Sequence, residues 1–344
     1  MTQQTFETDV TVIGAGPVGL FAIFELGMLR IRCHVIDALD ALGGQCRALY
    51  PEKPIYDIPG YPRIEAGALI DRLAEQAEPF EPVYHLGQRV ERLSRRDPEA
   101  GGGWLLETGN GTQIACRAII VAAGCGAFGP NRPPLPGIEA FEGSGVHYLV
   151  ARREDFRDKR IVIAGGGDSA LDWTLSLAEL AAKIYVVHRR AKFRAAPESV
   201  AQMERLAAGG DKVELVVPYQ LQGLEGDGGT LEAVLVRTLE GETRRLEADA
   251  LLAFFGLSMN LGPIAEWGLN LDRNLIVVDP ASCETNQSGL FAIGDIASYP
   301  GKLKLILSGF SEAAMAAHAI HPLVHPDEAL HWEYSTTKGL PSAR

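Results

Sequence analysis

The chain has 344 residues, more than one hydrophobic core usually serves, so its length predicts two domains. The formal net charge of −12 argues against a nucleic-acid partner, because nucleic acids are bound mainly by Lys and Arg on phosphates. The apolar residues 10–29 are interrupted by Gly14, Gly16, Pro17 and Gly19, which argues against a membrane span. Residues 1–9 lack the basic region of a secretory signal, so we expect a cytoplasmic protein without membrane association.

The first predicted elements form a strand, a glycine-rich turn, a helix and a second strand. Residues 9–13 are rich in β-branched residues, residues 20–30 have helical apolar spacing, and residues 33–36 are again β-rich. The turn reads Gly-Ala-Gly-Pro-Val-Gly over residues 14–19, and Asp37 ends the second strand.

This turn has the spacing and the context of a dinucleotide-binding site. Gly14 makes the tight turn, Gly16 lets the main chain approach a pyrophosphate, and Gly19 lets the helix pack on the strand. Pro17 opens the helix, whose N-terminal amides attract phosphate, and Asp37 is placed to accept from a ribose hydroxyl. The alternative is a glycine-rich turn that binds nothing.

An antiparallel ribbon follows, in three alternating stretches over residues 88–93, 104–108 and 113–121. Residues 119–123 predict a buried strand that ends in a glycine turn, and the proline-rich residues 131–137 predict a linker.

A second strand–turn–helix–strand unit begins at residue 160 and repeats the plan of the first. Its turn contains Gly165, Gly167 and Ala170 at the spacing G-x-G-x-x-A, with Asp168 and Ser169 between them. Its second strand, residues 184–187, ends without an acidic residue.

Four basic or titratable residues follow that strand, namely His188, Arg189, Arg190 and Arg194. Guanidinium groups at this point of the fold would bind a 2′-phosphate, which a carboxylate would repel. The pattern favours NADP over NAD. The alternative is a solvated basic surface.

The remaining chain predicts a second ribbon, over residues 231–237 and 243–252, and then a strand at residues 291–293. That strand ends at Gly294 and Asp295, ahead of a helix near residues 303–320, and Asp295 could accept from a ribityl hydroxyl. Two dinucleotide sites in one chain indicate a flavin and a nicotinamide. The site without basic residues suits FAD, and the site with them suits NADP(H).

The predicted fold class is therefore α/β, with two Rossmann-like, three-layer dinucleotide-binding domains. We expect the NADP domain to be inserted in the FAD domain. The expected boundaries are 1–125 for the first part of the FAD domain, 126–248 for the NADP domain, and 249–344 for the second part of the FAD domain with a C-terminal extension.

No two of the five cysteines are three residues apart, so the sequence contains no CxxC dithiol, and no Cys/His spacing indicates a zinc site. Their odd number is typical of a reducing compartment, and we expect no metal. Cys46 keeps two interpretations, a buried structural thiol or a redox centre.

The sequence resembles the two-domain flavoprotein reductases related to thioredoxin reductase, over nearly the whole chain. Within that group it is similar to the thioredoxin-reductase-like ferredoxin–NADP reductases. Besides the second glycine turn and the basic residues after it, the resemblance rests on Gly43 to Gln45, Ala48 to Lys53, Asp172 with Trp173, and Tyr334 to Thr337. The chain departs from thioredoxin reductase because no cysteine lies between Cys125 and Cys283.

The resemblance implies roles for several residues. Tyr50 would stack on one face of the flavin and Tyr334 on the other, the latter supplied by the C-terminal extension of the same chain or of a partner subunit. Core packing for Tyr50 and a frayed tail for Tyr334 are the alternatives. Further residues that the resemblance places at the FAD are Gly44, Gln45, Val90, Phe128, Asp295, Ser335 and Thr336.

The resemblance also implies the activity: one-electron exchange with ferredoxin, or with flavodoxin, and hydride transfer with NADP(H), through FAD and in a homodimer. No side chain is assigned a catalytic role, because the flavin carries the chemistry. A basic surface (Arg152, Arg153, Arg157, Lys302 and Lys304) is expected to receive the acidic carrier. Three alternatives stay open: a reductase of quinones or other small molecules, a thiol reductase that uses Cys46, and a flavin-bound sensor without turnover.

Overall fold

The computed structural model describes residues 5–328, with the main chain alone for residues 100, 127–128 and 257–259. The chain divides into two compact units. Unit 1 comprises the described parts of Met1–Ala48, Pro54–Phe128 and Met259–Arg344, and unit 2 comprises Leu49–Lys53 and Gly129–Ser258.

The elements are given in chain order. Residues 5–130 form β1 (Thr5–Glu7), β2 (Val10–Ile13), α1 (Pro17–Met28), β3 (Cys33–Ile36), α2 (Gly44–Ala48), β4 (Pro54–Ile55), β5 (Ile64–Glu65), α3 (Ala66–Ala77), β6 (Val83–His85), β7 (Val90–Arg95), β8 (Trp104–Thr108), β9 (Gln113–Cys116), β10 (Ala118–Val121) and β11 (Ala127–Pro130). Residues 131–260 form β12 (Val146–His147), β13 (Arg160–Ala164), α4 (Asp168–Leu177), β14 (Lys183–Val187), α5 (Pro197–Ala208), β15 (Val213–Val216), β16 (Gln220–Asp227), β17 (Thr230–Arg237), β18 (Thr243–Glu247), β19 (Ala250–Ala253) and β20 (Leu257–Asn260). The last elements are β21 (Leu271–Asp272), β22 (Leu275–Val277), β23 (Leu290–Ala292), β24 (Ala297–Ser298) and α6 (Ile306–Val324).

Unit 1 is built on a parallel sheet with the strand order β23-β10-β2-β3-β6. Every residue of β2 and β10 is buried, as expected for parallel strands that are covered on both faces. A second sheet, in the order β1-β9-β8-β7, joins the same hydrophobic core through Trp104, Leu106 and Ile114. Helix α1 packs against α3 and α6.

Unit 2 has a parallel sheet in the order β12-β19-β13-β14-β15 and an antiparallel sheet in the order β16-β17-β18. The alternation along β13 separates two cores. Ile161 and Ile163 pack in a cluster with Trp173 of α4, while Val162 packs in a second cluster with Val234 of β17. The unit is therefore a sheet between a helical layer and a β layer.

The predicted fold class is confirmed, since both strand–turn–helix–strand units are present where the sequence placed them. The limits of unit 2 differ from the expected residues 126–248 at both ends of the insertion. Strand β19, expected in the FAD domain, pairs with β13 and β12 inside the sheet of unit 2, so this unit continues to Ser258. The expected boundaries also placed Leu49–Lys53 in the FAD domain, whereas the structure places this segment in unit 2.

In the described part of the chain, no helix combines the length and the apolar character that a bilayer crossing requires.

Candidate dinucleotide-binding sites

The glycine turn between β2 and α1 contains two glycines that the protein itself requires. Gly14 has φ +110°, and a Cβ there would lie 2.4 Å from the carbonyl oxygen of Ala122. A Cβ on Gly19 would lie 1.9 Å from the carbonyl oxygen of Gly14. Because both residues lack a side chain, the turn can approach the chain after β10 at Gly14, and the helix can approach the turn at Gly19.

Gly16 has a different reason to be glycine. A Cβ there would meet no protein atom within 4 Å, and its φ of −72° suits any residue. Gly16 is the N-cap of α1 and offers no side-chain acceptor, so the amides of the first turn have no capping side chain. Open space in front of uncapped amides fits a pyrophosphate.

Asp37 organises this turn. One carboxylate oxygen accepts from the N–H of Ala15 (2.6 Å), and the other accepts from the N–H of Leu39 (2.8 Å). Burial raises the pKa of the carboxyl, and the two amide hydrogen bonds lower it. Since Asp37 already shapes the loop, its predicted contact with a ribose hydroxyl would use the remaining lone pairs.

Gly294 and Asp295 lie beside the same helix N-terminus. Gly294 has φ +75°, and a Cβ there would lie 3.5 Å from the side chain of Val18, in the first turn of α1. Gly309 of α6 also faces Val18, since a Cβ on it would lie 2.3 Å from a Val18 methyl. The helix expected near residues 303–320 is α6, which starts at Ile306, and Gly294–Ile296 forms a 3-10 turn ahead of it.

The first turn of α2 and the residue before it lie against the same glycine turn. The N–H of Gly43 donates to the carbonyl of Ala15 (2.8 Å), and a Cβ on Gly44 would lie 3.2 Å from the Cα of Gly16. A Cβ on Gly124 would lie 3.4 Å from the side-chain nitrogen Nε2 of Gln45. The structure thus gathers most of the residues predicted for the first site.

Five other predicted residues of this site are buried in the core, have only their main chain described, or lie outside the described residues. The Val90 side chain is 4% exposed and packs in the core, so it leaves mainly its main chain to a ligand. For Phe128 only the main chain, in β11, is described. Tyr334, with Ser335 and Thr336, lies outside the described residues.

Tyr50 belongs to a segment that we call the strap, Leu49–Lys53, which is part of unit 2. Its ring packs against the cluster around Trp173. Lys53 forms an ion pair with Asp172 (2.8 Å), and Glu52 accepts from the N–H of Arg153 (2.7 Å). The flavin-stacking role of Tyr50 stays a prediction.

The turn between β13 and α4 in unit 2 repeats the plan of the first. A Cβ on Gly165 would lie 2.7 Å from the carbonyl oxygen of Phe254 and 3.1 Å from the Cβ of Ala170. Gly167, the N-cap of α4, has no side-chain cap, and a Cβ there would meet nothing within 4 Å. Here too the second glycine of the motif faces open space.

Gly166, which the motif leaves variable, is required for another reason. A Cβ there would lie 2.3 Å from the ring of His188, which stacks with Phe193 at a centroid distance of 5.2 Å. The N–H of Arg194 donates to the Gly166 carbonyl (2.7 Å), and the N–H of Ala196 donates to Asp168 (2.9 Å). We name residues 188–196 the basic loop, and these contacts fasten it to the glycine turn.

The basic loop is arranged for an anion. Its three arginines are exposed, and no described carboxylate pairs with them; they are Arg189, Arg190 and Arg194. Burial lowers the pKa of His188, and the arginines lower it further. Its Nε2 is buried without a hydrogen-bond partner among the described residues.

The cysteines do not form a dithiol centre, since no disulfide joins any two of the five. Burial raises the pKa of Cys33, Cys116 and Cys283 to about 12, which suppresses the reactive thiolate. Cys46 is 2% exposed. Residues 5–328 contain no group of three His, Cys, Asp or Glu side chains arranged to hold a metal.

The expected basic docking surface needs correction. The Lys302 side chain is 7% exposed and forms an ion pair with Glu312, so it cannot receive a protein partner. The three arginines of the set already pair with carboxylates: Arg152 with Asp155, Arg153 with Glu179 and Arg157 with Glu154. Lys304 alone of the five is exposed without a described ion pair.

Each of the two parallel sheets contains a strand that leads through a glycine turn into a helix without a side-chain N-cap, and this arrangement defines a protein with two dinucleotide-binding folds. Residues 8–319 match the family described as pyridine nucleotide-disulphide oxidoreductase, and the chain belongs to this family.

Curated relatives extend over nearly the whole chain. A protein of Paramagnetospirillum magneticum named ferredoxin–NADP reductase is 65% identical over 97% of this chain and 98% of its own. One of the same name from Granulibacter bethesdensis is 66% identical over 98% and 95%. Among solved structures, Lactococcus lactis thioredoxin reductase has a TM-score of 0.79 at 23% identity over 92% of this chain and 99% of that one, which shows the fold. The resemblance predicted from the sequence is confirmed.

Proposed function

We propose that this protein is a ferredoxin–NADP reductase that moves electrons between ferredoxin and NADP(H) through FAD. The observation that carries the proposal is the set of relatives with that name, which align with nearly the full length of both chains. The lack of a dithiol agrees with it, because a thioredoxin reductase would need one.

FAD fits the site in unit 1. The open side of Gly16 and the uncapped N-terminus of α1 would receive the pyrophosphate, and Asp37 would accept from the adenosine ribose. Asp295, which lies on the turn beside Val18, would accept from the ribityl chain. No arginine follows β3 at the position where a 2′-phosphate would need one.

NADP(H) fits the site in unit 2. The open side of Gly167 and the N-terminus of α4 would hold the pyrophosphate, and the exposed arginines of the basic loop would hold the 2′-phosphate. The His188 ring is fixed between Gly166 and Phe193, and its buried Nε2 has no hydrogen-bond partner among the described residues. A bound nucleotide could supply that hydrogen bond.

FAD, when bound, supplies both the one-electron exchange with ferredoxin and the hydride exchange with NADP(H). The protein's contribution is to bind and orient. Packing of α1 against its strand fixes the amides that hold the first nucleotide, and the contact between Arg194 and Gly166 fixes the basic loop for the second. No described side chain has to donate or accept a proton for the reaction.

The finer parts of the proposal concern partners and location. We propose a homodimer in the cytoplasm, without membrane association, in which Tyr334 of the C-terminal extension and Tyr50 of the strap stack on the flavin. Flavodoxin is proposed as a second carrier. We also propose that electrostatic attraction guides the acidic ferredoxin to the protein. Of the basic surface defined above, Lys304 is exposed and has no described ion pair, so it can take part.

An anaerobic stopped-flow experiment tests the proposal. The purified protein is mixed with NADPH or NADH, and bleaching of the flavin absorbance is followed; oxidised ferredoxin or, in a parallel run, a quinone is then added as the electron acceptor. Bleaching by NADPH that is much faster than by NADH, followed by reoxidation by ferredoxin, is expected. Reoxidation by quinones with no response to ferredoxin would keep the cofactors and replace the partner.

A further inference from the structure

A buried ion pair lies directly behind the turn that carries Asp295. The Glu312 side chain, on α6, is 2% exposed, and the Lys302 side chain is 7% exposed. The two form an ion pair, and the hydroxyl of Tyr299 donates to the same carboxylate oxygen (2.6 Å). The other carboxylate oxygen accepts from the N–H of Gly294 (2.7 Å).

The two carboxylate oxygens of Glu312 have different partners. Lys302 and Tyr299 hold Oε1, and Oε2 is left for one main-chain amide. Burial and the neighbouring carboxylate raise the pKa of the Tyr299 phenol, so it stays a donor at physiological pH.

That amide marks the point where the chain leaves the sheet. The N–H of Ile293 still donates to Val121 of the neighbouring strand (3.0 Å). The next N–H, of Gly294, donates to Glu312 instead, and Gly294 adopts the left-handed φ of +75°. Glu312 therefore stabilises the turn in which Gly294 lies beside Val18 and which carries Asp295.

Stability alone gives little reason for burying this pair. Replacing a buried ion pair by apolar residues of similar volume is often neutral or stabilising. What an apolar replacement cannot supply is an acceptor for the Gly294 amide, which would be left unsatisfied in the core.

We propose that Glu312 is a positioning residue for the first cofactor: its carboxylate fixes the turn of Gly294 and Asp295 so that Asp295 meets the ribityl chain of FAD. Lys302 and Tyr299 hold that carboxylate in place. The proposal rests on the proposed function, because it takes FAD to occupy unit 1.

Two double variants separate the acceptor from the charge. Glu312→Gln with Lys302→Met removes both charges and keeps an amide oxygen for the Gly294 N–H. Glu312→Met with Lys302→Met removes both charges and the acceptor, with nearly the same volume. Glu284→Met is a matched control, because Glu284 accepts from the N–H of Gly289 (2.8 Å) away from the turn.

The readouts are the dissociation constant of FAD, from its fluorescence on release from the holoenzyme, and hydrogen exchange of a peptide that contains Gly294. The Met/Met variant is expected to bind FAD about tenfold to a hundredfold more weakly, the range of a lost buried hydrogen bond, and to exchange faster at Gly294. The Gln/Met variant and the Glu284 control are expected to stay within about threefold of the wild type.

FAD affinity and Gly294 exchange that stay at wild-type values in both double variants would overturn the proposal. Equal losses in both would also overturn it, since the charge rather than the acceptor would then matter. A wild-type protein that takes up no FAD would instead contradict the proposed function, while the exchange at Gly294 would still report whether Glu312 fixes the turn.

Discussion

Alanine at Gly16 should weaken FAD binding without harming the fold. A Cβ at this position meets no protein atom within 4 Å, and φ is −72°, so neither packing nor the main chain resists it. The free energy of unfolding of the flavin-free protein should change by no more than about 1 kcal/mol, with stabilisation expected because the unfolded chain loses freedom. The same Cβ would occupy the space in front of the α1 amides. Losing one charge-assisted hydrogen bond of about 1.5–3 kcal/mol would raise the dissociation constant of FAD roughly tenfold to a hundredfold.

Gly167→Ala is the counterpart in unit 2, where the Cβ also meets nothing within 4 Å. It should raise the Kd for NADPH by a similar factor and leave the bound FAD in place. Gly210→Ala, at a glycine with open space outside both sites, is the control. Fluorescence titration with each nucleotide and a thermal melt measure the two effects separately. If Gly16→Ala binds FAD as the wild type does, or if it unfolds, the assignment of open space to a ligand is refuted.

Three further predictions concern the arginines of the basic loop, the pair of His34 and His85, and the contact between Gly309 and Val18. Alanine at all three arginines of the basic loop should abolish the preference for NADPH over NADH, mainly through a higher KM for NADPH; a preference that survives would show that the 2′-phosphate lies elsewhere. His34 donates to or accepts from His85 at 3.0 Å, and burial, then His85, then Arg32 lower the pKa of His34 from 6.5 to about 4. Because the unfolded chain binds the proton first, stability should be fully present above about pH 6.5 and fall as the pH drops towards about 4; a melt series showing the same slope in His34→Gln would contradict this. Gly309→Ala puts a Cβ 2.3 Å from Val18 and should cost about 1–3 kcal/mol of unfolding free energy, measured by denaturant titration, whereas an unchanged midpoint would show that α1 and α6 can separate freely.

The sequence predicted those features that depend on local chain geometry. A glycine turn between a strand and a helix has few solutions, so Gly14, Gly19 and Gly165 could be placed with their reasons. The structure adds that Gly16 and Gly167 differ from them, since neither is required by a protein contact. Spacing alone does not separate a glycine needed for packing from one needed for a ligand.

Contacts between distant parts of the chain could not be predicted. The strap reaches Asp172 through Lys53, and nothing in either segment indicates the other. Glu312 reads in the sequence as an ordinary polar residue of α6, and Lys302 reads as a surface cation, although the two are buried together. Their positions follow from how α6 packs, which is a property of the folded chain.

The structure places the end of unit 2 at Ser258 instead of residue 248 for a related reason. Residues 243–252 were predicted as one strand of the ribbon, and the burial of residues 250–253 on both faces appears only when β19 pairs with β13 and β12. Parallel pairing across residues 160–253 leaves no local signal, because the hydrogen bonds join strands that are far apart in the chain.

The central claim is that this oxidoreductase exchanges electrons with ferredoxin and not through a dithiol. The most direct test is steady-state reduction of cytochrome c by NADPH with ferredoxin as the mediator, run in parallel with thioredoxin and a disulfide dye. The account predicts ferredoxin-dependent reduction that saturates with ferredoxin, retained in a Cys46→Ser variant, and no reduction through thioredoxin. Reduction through thioredoxin, or none with ferredoxin at any concentration, would contradict it.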